Sequence, residues 1–66
     1  MVRVGRAING ISLNGLKFLL NDDGNEKYFR DKETAKVFLI INGIPEEDLE
    51  DGFVYQENID DEWVVI

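Results

Sequence analysis

The chain has 66 residues, no cysteine and a formal net charge of −7. The absence of cysteine excludes disulfides and thiolate metal sites, and no apolar run approaches the ~20 residues that cross a bilayer. The N-terminus lacks the pattern of a signal peptide, and the negative charge disfavours direct binding to nucleic acids or membrane surfaces, which are themselves anionic. We therefore expect one domain, residues 1–66, in a reducing bacterial cytoplasm.

The first part of the chain predicts three strands. Residues 2–8 alternate loosely between apolar and polar types, and two turn dipeptides follow, Asn9-Gly10 and Asn14-Gly15. Residues 16–20 place apolar side chains at every second position, which predicts a strand with one buried face. After a Gly-containing turn, residues 26–30 are expected to return as the second strand of a hairpin.

Residues from 32 to about 42 predict a helix. Asp31 is suited to cap its N-terminus, Gly43 suits a left-handed stop, and Pro45 follows as it commonly does after a helix. The alternative is a strand at 37–41, because four of these five residues are β-branched or aromatic. The cap and the stop favour the helix.

The predicted helix has two apolar stripes, although a helix on the surface of a domain needs only one. Either the helix is enclosed between the sheet and other segments, or part of it contacts a second subunit in a symmetric homodimer. The first stripe consists of Ala35, Phe38 and Leu39, and the second of Val37, Ile40, Ile41 and Ile44.

The remaining segments predict a short helical turn at 45–49 and two strands, 53–57 and 62–66, joined by a turn. Phe53 and Tyr55 share one face of the first strand. The predicted order is β-β-β-α-β-β, an α+β fold in which one helix packs on a small antiparallel sheet of four to five strands.

The residue types give no sign of an enzyme or a cofactor site. The chain has no histidine and no cysteine, and Ser12, its single serine, has no base near it in sequence. The acidic turns at 21–26 and 60–62 lack the alternating ligand spacing of a calcium loop. We expect no catalysis, no metal and no cofactor.

The acidic half of the chain is the candidate binding site. Residues 1–36 carry seven bases and five acids, whereas residues 37–66 carry nine acids and no base. Carboxylates on one strand face repeat every ~6.6–6.8 Å, which could present rows of negative charge resembling a DNA backbone. Aromatic residues lie among them, as in interface hot spots, and the alternative is a solvated face that maintains solubility. The candidate residues are Glu46, Glu47, Asp48, Glu50, Asp51, Glu57, Asp60, Asp61 and Glu62.

The basic residues are expected to pair with this acidic half, within the fold or across a dimer, rather than to bind nucleic acid directly. The alternative is a weak basic patch. The residues concerned are Arg3, Arg6, Lys17, Lys27 and Arg30.

Residues 19–55 resemble many small bacteriophage proteins in their plan of hairpin, capped helix, Gly-Ile stop and acidic loop. The segments that carry this resemblance are Leu-Leu-Asn-Asp-Asp-Gly-Asn, Tyr-Phe-Arg-Asp-Lys-Glu-Thr-Ala, Asn-Gly-Ile and Glu-Glu-Asp-Leu-Glu. In size and charge the chain also resembles the phage inhibitors that mimic DNA and block uracil-DNA glycosylase, the histone-like protein HU, restriction enzymes or CRISPR effectors. The resemblance implies an early phage protein of host takeover, acting in the cytoplasm of the bacterial host.

These observations predict a non-enzymatic inhibitor that binds a basic bacterial DNA-binding protein, HU-like in the first instance, and blocks its DNA binding. The alternative is an interaction or regulatory module that modulates host RNA polymerase or another host factor through apolar contacts. A third reading is a structural component of a phage assembly.

Overall fold

The structure, a computed structural model, describes residues 1–7 and 15–66. Within these residues the elements are β1 Val2–Ala7, β2 Leu16–Phe18, α1 Lys32–Ile41, α2 Asp48–Asp51, β3 Val54–Ile59 and β4 Glu62–Val65. The strands form one antiparallel sheet in the spatial order β2-β1-β3-β4. This arrangement confirms the predicted α+β fold. The turn dipeptide Asn9-Gly10, Asn14 and Ser12 lie outside the described residues.

Helix α1 begins and ends where its local signals predict. Asp31 Oδ1 accepts hydrogen bonds from the backbone N–H of Thr34 at 2.8 Å and from its hydroxyl at 2.7 Å. Asn42 follows the last turn, and Gly43 has φ +92°, a left-handed conformation that glycine adopts without steric cost. The alternative of a strand at 37–41 is therefore wrong, because the cap and the stop outweigh the β propensity of the residues between them.

The core lies between one face of the sheet and the two helices. Val4 is paired with Tyr55, and both side chains point toward α1, together with that of Val2. We call this side the inner face of the sheet. Burial of these apolar side chains supplies most of the folding free energy of a small domain. The buried residues are Val2, Val4, Phe29, Ala35, Leu39, Leu49, Phe53 and Tyr55.

Only one stripe of α1 is covered by the described residues. Ala35 and Leu39 are buried, whereas the side chains of Val37, Ile40 and Ile41 are 51%, 48% and 78% exposed. Enclosure of the helix on both sides is therefore wrong for the part of the chain that the structure describes.

The predicted strand at 26–30 is wrong as an element, because its pairing changes along its length. Glu26 forms an isolated bridge with Leu20, and the Lys27 N–H donates to the Leu19 carbonyl. Phe29 then leaves the hairpin and exchanges two 2.8 Å hydrogen bonds with Val2 of β1. The hairpin is thus short, and β2 ends at Phe18. Beyond β2, Phe29 pairs with Val2 on the edge of β1 that faces β2.

A two-residue turn joins β3 to β4. Ile59 is paired with Glu62, and Asp60 and Asp61 between them have φ values of 52° and 66°. Positive φ at both central residues is the geometry of a type I′ hairpin turn. The turn is tighter than predicted, so β3 extends to Ile59.

Candidate binding surfaces

The predicted site residues fall into two groups, and the first surrounds the short helix α2. All five of its side chains are exposed. The buried side chain of Leu49 fixes this helix to the core. The acidic residues beside it are therefore held in place with their side chains in solvent. We call this group the α2 acids: Glu46, Glu47, Asp48, Glu50 and Asp51.

The second group lies at the turn between β3 and β4. Asp60, Asp61 and Glu62 are exposed, and we call them the hairpin acids. Glu57 belongs to neither group, because it lies on the inner face of β3, is paired with Val64 and is half-buried.

The two groups lie at opposite ends of β3. The α2 acids precede its first residue, and the hairpin acids follow its last, so a strand of six residues separates them, a length of about 17 Å at ~3.3 Å per residue. The exposed candidate acids of the described residues therefore form two separate groups, with the half-buried Glu57 on β3 between them.

One of the nine candidate acids is engaged by bases within the described residues. Lys36 Nζ donates to Glu50 Oε1, and Lys32 Nζ lies 3.7 Å from Glu50 Oε2. The hydrogen bond from Lys36 lowers the pKa of Glu50 below its usual value, and the same contact raises the pKa of Lys36. The other candidate acids make no salt bridge in residues 1–7 and 15–66.

Pairing between the basic and the acidic halves is more limited than predicted. Arg3 Nη1 lies 3.1 Å from Glu26 Oε1, and Arg30 Nε lies 3.2 Å from Asp31 Oδ2, so both pair with acids of their own half. Pairing of these two arginines with the acidic half within the fold is therefore wrong. The two bases that reach it are Lys32 and Lys36, which both lie on α1 beside Glu50.

A cluster that the sequence did not predict crosses the outer face of the sheet, the face opposite α1. The Arg3 guanidinium lies between two rings, 4.0 Å from the centre of Phe18 and 4.1 Å from that of Trp63. Tyr28 stacks on Trp63 with 5.8 Å between ring centres and an interplanar angle of 8°. Arg3 Nε also donates a 2.9 Å hydrogen bond to Gln56. We call these four residues, Arg3, Phe18, Tyr28 and Trp63, the aromatic stack.

Trp63 is half-buried and takes part in the aromatic stack. Its ring contacts both the Arg3 guanidinium and the Tyr28 ring, so part of its surface is used within the fold. Alternation along each strand could have placed Arg3 and Phe18 on one sheet face, but their contact depends on the register of β1 and β2, in which Phe18 is paired with Gly5.

In 1–7 and 15–66, no three carboxylates converge in a way that could hold a metal ion. Among the same residues, none of the helices is both long enough and apolar enough to span a bilayer.

Comparisons of the chain with models of known protein families, with curated proteins and with solved structures gave no significant match.

Proposed function

We propose that this chain is a non-enzymatic inhibitor whose exposed carboxylates occupy the DNA-binding surface of a basic bacterial protein. The observation that carries the proposal is the display of the acids. Eight of the nine are exposed, and Glu50 alone is engaged by bases in the described part of the chain. Negative charge that the fold leaves without a partner is available to an external one and would steer its approach.

The spacing of the two acidic groups also supports DNA mimicry. The α2 acids and the hairpin acids are separated by the length of β3. Two negative ridges separated by a groove are also what duplex DNA presents, with a major groove about 12 Å wide. A protein with two basic arms or a basic saddle could contact both groups at once. A histone-like protein of the HU class, in the cytoplasm of the bacterial host, is therefore the first partner to test.

The test is competition with DNA, using variants matched in charge. A purified HU-type protein is bound to a labelled duplex, and displacement of the duplex by this chain is measured by fluorescence anisotropy. The variant D60N/D61N removes two charges from the hairpin acids. The control D22N/D23N removes two charges from another exposed turn, beyond β2 at the other edge of the sheet.

We expect D60N/D61N to weaken displacement by about tenfold and the control to leave it nearly unchanged, because exposed charges act over about a Debye length. Raising the salt concentration should weaken the wild type more than D60N/D61N. Equal displacement by both variants would overturn the assignment of the hairpin acids. No displacement from HU-type or other basic DNA-binding proteins would overturn DNA mimicry itself.

The exposed stripe of α1 favours a second candidate function, an interaction module that binds a host factor such as RNA polymerase by apolar contacts. Val37, Ile40 and Ile41 are each about half exposed or more. If this stripe is the binding surface, I41K should abolish capture of the partner and salt should have little effect. In the DNA-mimic proposal, I41K should leave capture of the partner intact, because all nine acids remain in place, and salt should weaken binding strongly.

A further inference from the structure

The outer edge of β4 carries backbone groups without partners in the described residues. Glu62 is paired with Ile59 next to a two-residue turn, a position at which the pair exchanges both hydrogen bonds. Every second residue after Glu62 also directs its backbone groups toward β3. Ile66 follows this alternation, since its N–H donates to the Tyr55 carbonyl at 2.9 Å. The alternate residues, Trp63 and Val65, therefore direct their N–H and C=O groups away from β3. Since β4 is the last strand of the sheet, these groups form an open hydrogen-bonding edge.

Trp63, Val64 and Val65 on this edge include no lysine, proline or bulge of the kind that commonly protects an edge strand, and the charge within β4 is confined to Glu62 at its start. The opposite edge, β2, has both short length and a lysine, because it consists of Leu16–Phe18 with Lys17 at its centre. In contrast, β4 has the sequence Glu-Trp-Val-Val, and its Val64 and Val65 are 41% and 64% exposed. The edge is suited to pairing with another strand.

The charges around the edge indicate which strand would pair with it. The hairpin acids lie at the start of β4. At its other end, Lys32 Nζ contacts both the Ile66 carbonyl, at 3.3 Å, and Glu50, at 3.7 Å, and Glu50 is also engaged by Lys36. Carboxylates without a basic partner in the described residues therefore flank the start of the edge only. A second copy of this chain, with its own charge of −7, would be repelled, whereas a segment with a basic end beside the hairpin acids would be attracted.

We infer that β4 is the docking edge for an extended segment of the basic partner, with alternating apolar residues and with Lys or Arg at the end that lies beside the hairpin acids. Backbone hydrogen bonds to Trp63 and Val65 would supply affinity, and the hairpin acids would supply selectivity. The inference rests on the proposed binding of a basic partner and adds the form in which that partner is recognised.

The test uses a synthetic peptide of alternating Val and Thr with two lysines at one end, and a second peptide of the same sequence with N-methylated central residues. The variant V65P removes the outward N–H of Val65, and proline is tolerated at an edge position whose N–H faces solvent. The control V65T changes the side chain but keeps that N–H. Binding is followed by titration calorimetry and by NMR of the backbone amides.

We expect V65P to bind the first peptide at least about tenfold more weakly than V65T, since a β-augmentation contact loses its central hydrogen bond. The N-methylated peptide should bind weakly to every variant. On binding of the first peptide, the amides of Trp63 and Val65 should become protected from hydrogen exchange, whereas that of Val64, already bonded to β3, should change little.

Three results would overturn the inference in distinguishable ways. If V65P and V65T bind the peptide equally and D60N/D61N loses binding, the hairpin acids bind the partner but the edge of β4 does not. If neither V65P nor D60N/D61N weakens binding of the peptide, both the docking edge and the proposed function are wrong. A wild-type chain that is dimeric by sedimentation equilibrium, and monomeric as V65P, would show that the edge pairs with a second copy.

Discussion

The hydroxyl of Tyr55 donates a 2.6 Å hydrogen bond to the backbone carbonyl of Leu49, and both groups are buried. This bond connects the middle of the sheet to the short helix that carries the α2 acids. A helix of four residues has little stability of its own. Its position therefore depends on this hydrogen bond and on the burial of Leu49, and so does the arrangement of the five carboxylates around it.

Replacing Tyr55 by Phe should destabilise the fold by about 1–2 kcal/mol, because the Leu49 carbonyl would be left buried without a donor. Urea unfolding followed by Trp63 fluorescence measures the change. Tyr28→Phe is the control, since this side chain is 43% exposed and uses its ring in the aromatic stack. If the two variants lose the same free energy of unfolding, the bond to Leu49 does not fix α2.

The same tyrosine should make the fold sensitive to alkali. Burial raises the pKa of Tyr55 above its ordinary value of 10.0, and the contact with Glu50 raises the pKa of Lys36 above 10.5. Both contributions to stability are complete below the unfolded-state pKa values and are lost as the pH rises through the folded-state values. The melting temperature should therefore fall above about pH 10, and it should fall less in Tyr55→Phe. A decline of the same size in both proteins would contradict the role of Tyr55.

Arg3 is expected to stabilise the fold through its planar group and not only through its charge. In Arg3→Lys the charge remains, but stacking between Phe18 and Trp63 and the bond from Nε to Gln56 are lost. We expect a cost of about 1–2 kcal/mol. Arg30→Lys, at a side chain that is 86% exposed, should cost less than about 0.5 kcal/mol. Thermal unfolding compares the two, and equal costs would mean that the stack contributes nothing beyond charge.

Local signals were sufficient to predict several parts of this fold. The bounds of α1 follow from Asp31 and Gly43, which act within a few residues of themselves. The alternation in β3, with Phe53 and Tyr55 on the inner side, also follows from adjacent positions, because successive strand residues point to opposite faces. These features need no knowledge of which strands become neighbours.

Long-range pairing accounts for what the sequence did not predict. Phe29 has the residue type of a hairpin strand, but its hydrogen bonds go to Val2, 27 positions earlier in the chain. The aromatic stack joins β1, β2 and β4 through the register.

The cap of α1 should contribute stability that disappears in acid. Asp31→Ala is expected to lower the free energy of unfolding at neutral pH, because the helix loses its N-terminal cap. The backbone N–H of Thr34 is the main cause that lowers the pKa of Asp31 below 3.8, so the contribution is complete above that value and is lost as the pH falls through the lower folded-state pKa. Urea unfolding at several pH values should show wild type and variant converging below about pH 4. Asp31→Asn is the control, because its side-chain oxygen still caps the helix but does not titrate.

The hairpin turn offers a test in which stability and binding should change in opposite directions. Asp60 and Asp61 both have positive φ, a conformation for which Asn-Gly is the preferred pair in a type I′ turn. D60N/D61G should therefore stabilise the fold by about 1 kcal/mol, since glycine adopts positive φ without steric cost and the repulsion among the hairpin acids is relieved.

Affinity for the basic partner should fall in the same variant, because two of the proposed phosphate surrogates are removed. D60N/D61N is the matched control, with the same loss of charge but without the glycine, so it should lose as much affinity and gain less stability. Unfolding midpoints and DNA-competition titrations on the same samples measure both quantities. If D60N/D61G gains stability and retains full affinity, the hairpin acids have no part in binding.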